Sequence, residues 1–67
     1  MDLRGVIKLR RKVLGISQQD LAEMAGLGVA TIKDIERGKG NPSLSTVARI
    51  LDVLGMDLVF KVRQTVK

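Results

Sequence analysis

Side chains that could perform catalysis are almost absent from this chain. It contains no cysteine and no histidine, which excludes thiol nucleophiles, most zinc sites and the usual proton shuttle at neutral pH. Asp20 and Glu23 share a predicted helix face, but no metal-ligand set or neighbouring base accompanies them. The segment GKGNP at 38–42 lacks the preceding strand and the Gly-Lys-Ser/Thr ending of a phosphate-binding loop. We therefore expect no enzyme, no metal and no cofactor.

Basic side chains give the first positive indication of a partner. Twelve Lys and Arg residues against seven Asp and Glu residues leave a net charge of +5, which favours nucleic acid or an anionic membrane surface as the partner. A basic helix face that contacts only water explains the same composition. Five of these cations gather within the first twelve residues, namely Arg4, Lys8, Arg10, Arg11 and Lys12. Their clustering, more than the total charge, is the relevant feature, and it leaves a binding surface and a solvated helix face both open.

The length and composition predict a single small domain over residues 1–67. Hydrophobic residues make up 45% of the chain and charged residues 28%, a balance typical of folded proteins. A domain this small buries only about 60% of its unfolded surface, so its stability margin is thin and dimerisation would help it. The apolar runs are too short for a membrane span, and no signal peptide is recognisable. A cytoplasmic location is the default expectation.

Apolar residues that recur every three or four positions predict four helices. Ser17 and Ser43 are suited to begin the second and fourth helices, because a serine hydroxyl accepts a hydrogen bond from a free backbone N–H. Each helix is followed by a glycine, which tolerates the left-handed conformation common at helix ends. The predicted ranges are 3–14, 17–25, 29–37 and 43–54.

The C-terminal residues change to a period of two, because MDLVFKVR at 56–63 alternates apolar and polar residues. Its unpaired backbone groups would invite pairing with a second copy. We therefore expect an all-α fold with a C-terminal β-strand, in which a helical body at 1–55 is followed by a strand that pairs across a twofold homodimer. A dimer through the fourth helix satisfies the same stability argument. The residues expected in the dimer strand are Met56, Leu58, Val59, Phe60 and Val62.

The second and third helices are short and joined by a tight turn. Ala22 allows close helix packing, Gly26 permits the turn and Leu27 packs beneath it. Such a helix-turn-helix can place its second helix in the major groove of DNA. A plain helical hairpin has the same pattern, so the pattern alone leaves both interpretations open.

Nearly the whole chain resembles a known family. The motifs are SQxxLA at 17–22, ATI at 30–32, IERGK at 35–39 and NPSL at 41–44. Together with their spacing they are similar to the Xre-type helix-turn-helix domains of phage repressors, Cro proteins and many bacterial regulators. The resemblance implies a lambda-repressor-like helical fold, double-stranded DNA as the partner and an association with the bacterial nucleoid.

The same resemblance implies roles for individual residues. The positions that match base-contacting residues are Gln18, Gly28, Val29, Ala30, Lys33 and Asp34. Of these, Gln18 matches a glutamine that contacts backbone phosphate and sometimes a base edge, and a neutral amide can do either. The positions that match phosphate-contacting residues are Arg10, Lys12, Thr31, Arg37, Lys39, Asn41 and Ser43. Arg11 and Glu36 match a partly buried ion pair that joins the first helix to the third. The small side chains of Val29 and Ala30 depart from richer recognition helices, although their methyl groups can contact thymine methyls.

The ending LGMDLVFKVR is similar to the strand of HipB-type antitoxins, which dimerise through such strands, repress their own operon and bind a toxin. We therefore expect a homodimeric, sequence-specific transcriptional repressor of a near-palindromic operator, acting as the autoregulatory antitoxin of a toxin protein. A stand-alone Xre-type regulator remains an alternative. A protein-interaction module on the same scaffold is another, because the patch at 28–30 is small and weakly polar.

Overall fold

Four helices follow one another along residues 2–63, the part of the chain that the computed structural model describes. They are α1 (Leu3–Leu14), α2 (Gln18–Ala25), α3 (Val29–Glu36) and α4 (Leu44–Val53). The predicted helices are therefore present, and their ends shift by no more than one residue, as is usual where caps are counted differently. None of the helices in this part of the chain is long and apolar enough to cross a membrane.

Polar side chains fix the point at which each of three helices begins. At the start of α2 the Ser17 hydroxyl accepts a hydrogen bond from the backbone N–H of Asp20 at 2.9 Å. The Asp20 carboxylate accepts one from the backbone N–H of Ser17 at 3.1 Å. Asp2 and Ser43 cap α1 and α4 through their own side chains. These bonds satisfy backbone donors that the helix itself leaves unpaired.

Apolar side chains from all four helices meet in one core. Helix α2 packs against α3 and α4, and α1 packs against α3. No polar or charged residue within 2–63 is fully buried. The packing leaves the outer face of α3 and the N-terminal turn of α2 on the surface. The core residues are Ile7, Leu21, Ala22, Ala25, Ile32, Ile35, Val47, Ile50, Leu51 and Leu54.

The C-terminal segment corrects one prediction. Within residues 2–63 the structure contains helices and no β-strand, and residues 56–63 have no regular secondary structure. The predicted strand, and with it the pairing of strands across a dimer, is therefore wrong. Alternating apolar residues form a strand only where a neighbouring strand accepts their backbone hydrogen bonds, and the described helices provide none. Of the residues assigned to the strand, Met56 packs at the core edge, whereas four are exposed: Leu58, Val59, Phe60 and Val62.

Candidate nucleic-acid interface

A three-residue turn positions α3 relative to α2. Gly26 has φ 69°, a left-handed conformation that glycine adopts without strain. Its carbonyl accepts a hydrogen bond from the Arg49 side chain of α4 at 3.0 Å. The backbone N–H of Leu27 donates to the carbonyl of Ala22 at 2.8 Å, and Ile32 of α3 is fully buried against the core. The turn is therefore held both from within the motif and from α4.

Most of the predicted base-contacting residues lie together on one surface. Gln18, Ala30, Lys33 and Asp34 line a shallow concave surface that Arg37 completes. Gly28 and Val29, at the start of α3, do not line it, and Val29 packs partly against the core. The surface therefore combines the first turn of α2 with the exposed face of α3, which is the arrangement a helix-turn-helix presents to a major groove.

Charges on this surface are unevenly distributed. The Arg37 guanidinium forms an exposed ion pair with the Asp34 carboxylate one turn earlier in the chain. Within residues 2–63 the Lys33 ammonium has no ion-pair partner. Lys33 is thus available to donate to a phosphate or a guanine, whereas Asp34 places an acceptor on the same face.

A polar network lies behind this surface and joins three parts of the chain. The guanidinium of Arg11 contacts both carboxylate oxygens of Glu36, with Nε 2.8 Å from Oε2 and Nη2 2.9 Å from Oε1. Its Nη1 donates to the carbonyl of Ile16 at 3.0 Å. The amide Nε2 of Gln18 donates to Oε1 of Glu36 at 3.2 Å. The side chains of Arg11 and Glu36 are 12% and 4% exposed, so this is a desolvated pair with satisfied donors.

The network also sets the protonation of Glu36. Burial alone raises the pKa of its carboxyl, but hydrogen bonds from Arg11 and Gln18, together with the nearby positive charge, outweigh burial and lower the pKa below its ordinary value of 4.5. The hydrogen bond to Glu36 raises the pKa of the Arg11 guanidinium. Glu36 is therefore ionised at neutral pH and acts only as an acceptor.

The predicted phosphate-contacting residues do not lie on a single surface. Thr31, Lys39 and Asn41 line a second concavity beside the α3 surface. The hydroxyl of Ser43 caps α4, and Lys12 is exposed in the last turn of α1. Arg10 differs, because its Nε donates to the carbonyl of Leu54 at 2.9 Å, and its side chain lines an apolar surface with residues of α1 and Met56.

Two features of the site had no signal in the sequence. Arg49 holds the turn of the motif from a position 23 residues further along the chain, and no spacing rule links it to Gly26. The hydrogen bond between Gln18 and Glu36 likewise joins residues 18 positions apart. Both contacts depend on how the helices pack, so only the folded chain reveals them.

Comparison with known proteins identifies the family to which this helix-turn-helix arrangement belongs. The family model described as helix-turn-helix matches residues 7–61. An HTH-type transcriptional regulator of Methanothermobacter thermautotrophicus is 40% identical over 82% of this chain and 80% of its own length. The regulator y4mF of Sinorhizobium fredii is 32% identical over 85% of this chain and 75% of its own length. The immunity repressor of Bacillus phage phi105 is 42% identical over 78% of this chain and 36% of its own length.

The chain belongs to the Xre-type helix-turn-helix family, whose members are DNA-binding transcriptional regulators rather than enzymes. This confirms the resemblance drawn from the motifs.

Proposed function

We propose that this protein is a sequence-specific transcriptional repressor that inserts α3 into the major groove of its operator. The observation that carries the proposal is the shared surface of Gln18, Ala30, Lys33 and Asp34. It contains both donors and acceptors, and it combines the first turn of α2 with the outer face of α3, the helix that this motif presents to DNA. Occupancy of the operator would then repress transcription by excluding polymerase. The phage relative named as an immunity repressor supports repression as the outcome of binding.

The proposal assigns two groups of contacts. Base readout belongs to Gln18, Gly28, Val29, Ala30, Lys33 and Asp34, and phosphate contacts belong to Arg10, Lys12, Thr31, Arg37, Lys39, Asn41 and Ser43. Phosphate contacts position the protein without specifying sequence, whereas base contacts discriminate among sequences. A homodimer on a near-palindromic operator is part of the proposal, since one motif reads only one half-site.

The antitoxin role adds a toxin partner to this proposal, and the structure weakens its support. It rested on the similarity of residues 56–63 to a dimerising strand, and those residues form no strand. A stand-alone regulator needs no such strand and no toxin. We therefore prefer the stand-alone regulator and assign no toxin partner.

Selection of random duplex DNA by the purified protein, followed by sequencing, tests the proposal. Two inverted half-sites about 34 Å apart, one helical turn, are the expected result. A single enriched half-site would retain DNA recognition and reject the homodimer. If the folded protein enriches no sequence, the repressor proposal fails and the protein-interaction module becomes the better hypothesis.

A further inference from the structure

The Glu36 carboxylate joins the last turn of α1 to the first turn of α2. The Arg11 guanidinium donates a hydrogen bond to each carboxylate oxygen of Glu36, at 2.8 and 2.9 Å. One of these oxygens also accepts the hydrogen bond from Nε2 of Gln18 at 3.2 Å. Because the Glu36 side chain is only 4% exposed and is held at both oxygens, it has little freedom to turn. Gln18 is therefore bonded to a group that is itself fixed.

The chemistry of this hydrogen bond determines which way the Gln18 amide faces. A glutamine amide has a donor end and an acceptor end, and the two have the same shape. An ionised carboxylate accepts hydrogen bonds and donates none, so only the nitrogen end can face Glu36. The amide oxygen then faces away, and Nε2 keeps one hydrogen for another partner. Gln18 thus presents one acceptor and one donor side by side.

The surface around Gln18 indicates what its amide oxygen and remaining N–H could bind. Gln18 is half-buried at the first residue of α2 and lines the same concavity as Lys33 and Asp34. Lys33 can only donate, and the Asp34 carboxylate is already paired with Arg37. Adenine presents a matching pair in the major groove, since its N7 accepts and its N6 amino group donates, and an amide binds both atoms.

We propose that Glu36 is a positioning residue for sequence recognition, holding Gln18 in the orientation that reads an adenine. The inference rests on the proposed function, because it requires α2 and α3 to lie against duplex DNA. A phosphate contact is the competing role of Gln18. Phosphate oxygens only accept hydrogen bonds, so that contact would use a single hydrogen and leave the amide oxygen beside an anion. The fixed amide therefore favours the base.

The test is selection of random duplex DNA, at one salt concentration, with the wild-type chain, Gln18→Ala, Glu36→Gln and the double variant. The wild type should enrich adenine at one position of each half-site. Gln18→Ala should reduce that preference about tenfold or more and leave the other positions intact. A glutamine at position 36 both donates and accepts, so it no longer dictates the amide orientation, and the preference should fall by less. In the Gln18→Ala background, Glu36→Gln should change nothing further at that position.

Gln19 provides a matched control, because its Nε2 donates to Glu23 within α2 at 3.1 Å and takes no part in the network. Gln19→Ala should leave every base preference unchanged. Thermal unfolding of each variant, measured alongside, separates loss of recognition from loss of fold.

Three outcomes would contradict the inference in different ways. A uniform loss of affinity for all sequences in Gln18→Ala, with the adenine preference unchanged, would assign Gln18 to a phosphate. An unchanged adenine preference in folded Glu36→Gln would reject the positioning role of Glu36. If the folded wild-type chain enriches no sequence, the proposed function fails, and this inference fails with it.

Discussion

The Glu36 carboxylate has a structural role that is separable from recognition. It neutralises the Arg11 guanidinium in a site where both side chains are almost inaccessible to water. A desolvated ion pair adds little net stability compared with apolar residues of similar size, but removing one partner leaves an unpaired buried charge. The pair therefore acts mainly as a constraint, because the two charges must stay together for α1 and α3 to pack.

Glu36→Ala should accordingly destabilise the domain by about 3 kcal/mol or more. For a domain of this size that is most of the free energy of unfolding. Urea titrations should therefore show a chain that is largely unfolded even without urea. Replacing both partners, as Arg11→Met with Glu36→Leu, should recover much of the loss, since neither charge is then left unpaired. A double variant no more stable than Glu36→Ala would show that the cost lies in packing rather than in the unpaired guanidinium.

Acid should weaken the fold through the same residue. Because the folded pKa of Glu36 lies below its ordinary value of 4.5, its contribution to stability is fully present above that value and is lost as pH falls through the lower folded pKa. The pKa of Asp20, lowered by hydrogen bonds from the backbone N–H and side chain of Ser17, contributes with the same sign. Thermal unfolding followed from neutral pH to about pH 3 should show a steeper decline for the wild type than for Glu36→Gln. Equal declines would reject Glu36 as the titrating group.

Among the secondary-structure elements, the helices were predictable and the C-terminal segment was not. Helix periodicity, the capping side chain of Ser17 and the glycine after each helix are local signals, and local hydrogen bonds decide helix ends. A strand depends on a neighbour, and alternation at 56–63 carries no information about whether that neighbour exists. The motif positions of Arg11 and Glu36 indicated their ion pair only through resemblance. Its link to Gln18 required the packed helices.

The turn between α2 and α3 should tolerate a side chain at one glycine and not at the other. At Gly26, φ is 69° and an added Cβ would lie 2.6 Å from Nη2 of Arg49, so Gly26→Ala should destabilise the domain by about 1–2 kcal/mol. Gly28 has φ −77° and open space around the Cβ position, so Gly28→Ala should change stability by less than about 0.5 kcal/mol. Urea unfolding of both variants checks this contrast, and similar losses at both positions would contradict it.

Because Gly28→Ala should leave stability almost unchanged, the same variant tests whether the start of α3 lies close to DNA. If the backbone at Gly28 lies close to a base, as proposed, the added methyl group should lower operator affinity without lowering the unfolding midpoint. Binding isotherms on the selected operator provide the measurement. Unaltered affinity would remove Gly28 from the set of base contacts.

For the molecule as a whole, attraction to DNA should depend on a few exposed cations. Lys39, beside the α3 surface, is assigned to a phosphate, so Lys39→Ala should weaken binding to every sequence and reduce the slope of log K against log salt by about one. Lys61 lies in the exposed C-terminal segment, outside the proposed contacts, and Lys61→Ala is the matched control. An unchanged slope in Lys39→Ala, or an equal change in both variants, would reject the assignment.

Three arginines fasten parts of the chain that are distant in sequence: Arg10 to the end of α4, Arg11 to α3 and Arg49 to the turn after α2. Among these three, the Arg11 contact uses the planar fork, since its Nε and Nη2 engage both carboxylate oxygens of Glu36, and lysine cannot reproduce that geometry. Arg11→Lys would preserve the net charge of +5 and still lose the two-point contact between α1 and α3. Arginine residues therefore serve both the packing of the helices and the attraction to DNA, but the two properties can be altered independently. Arg11→Lys would weaken the packing of α1 against α3 and leave the attraction to polyanions unchanged.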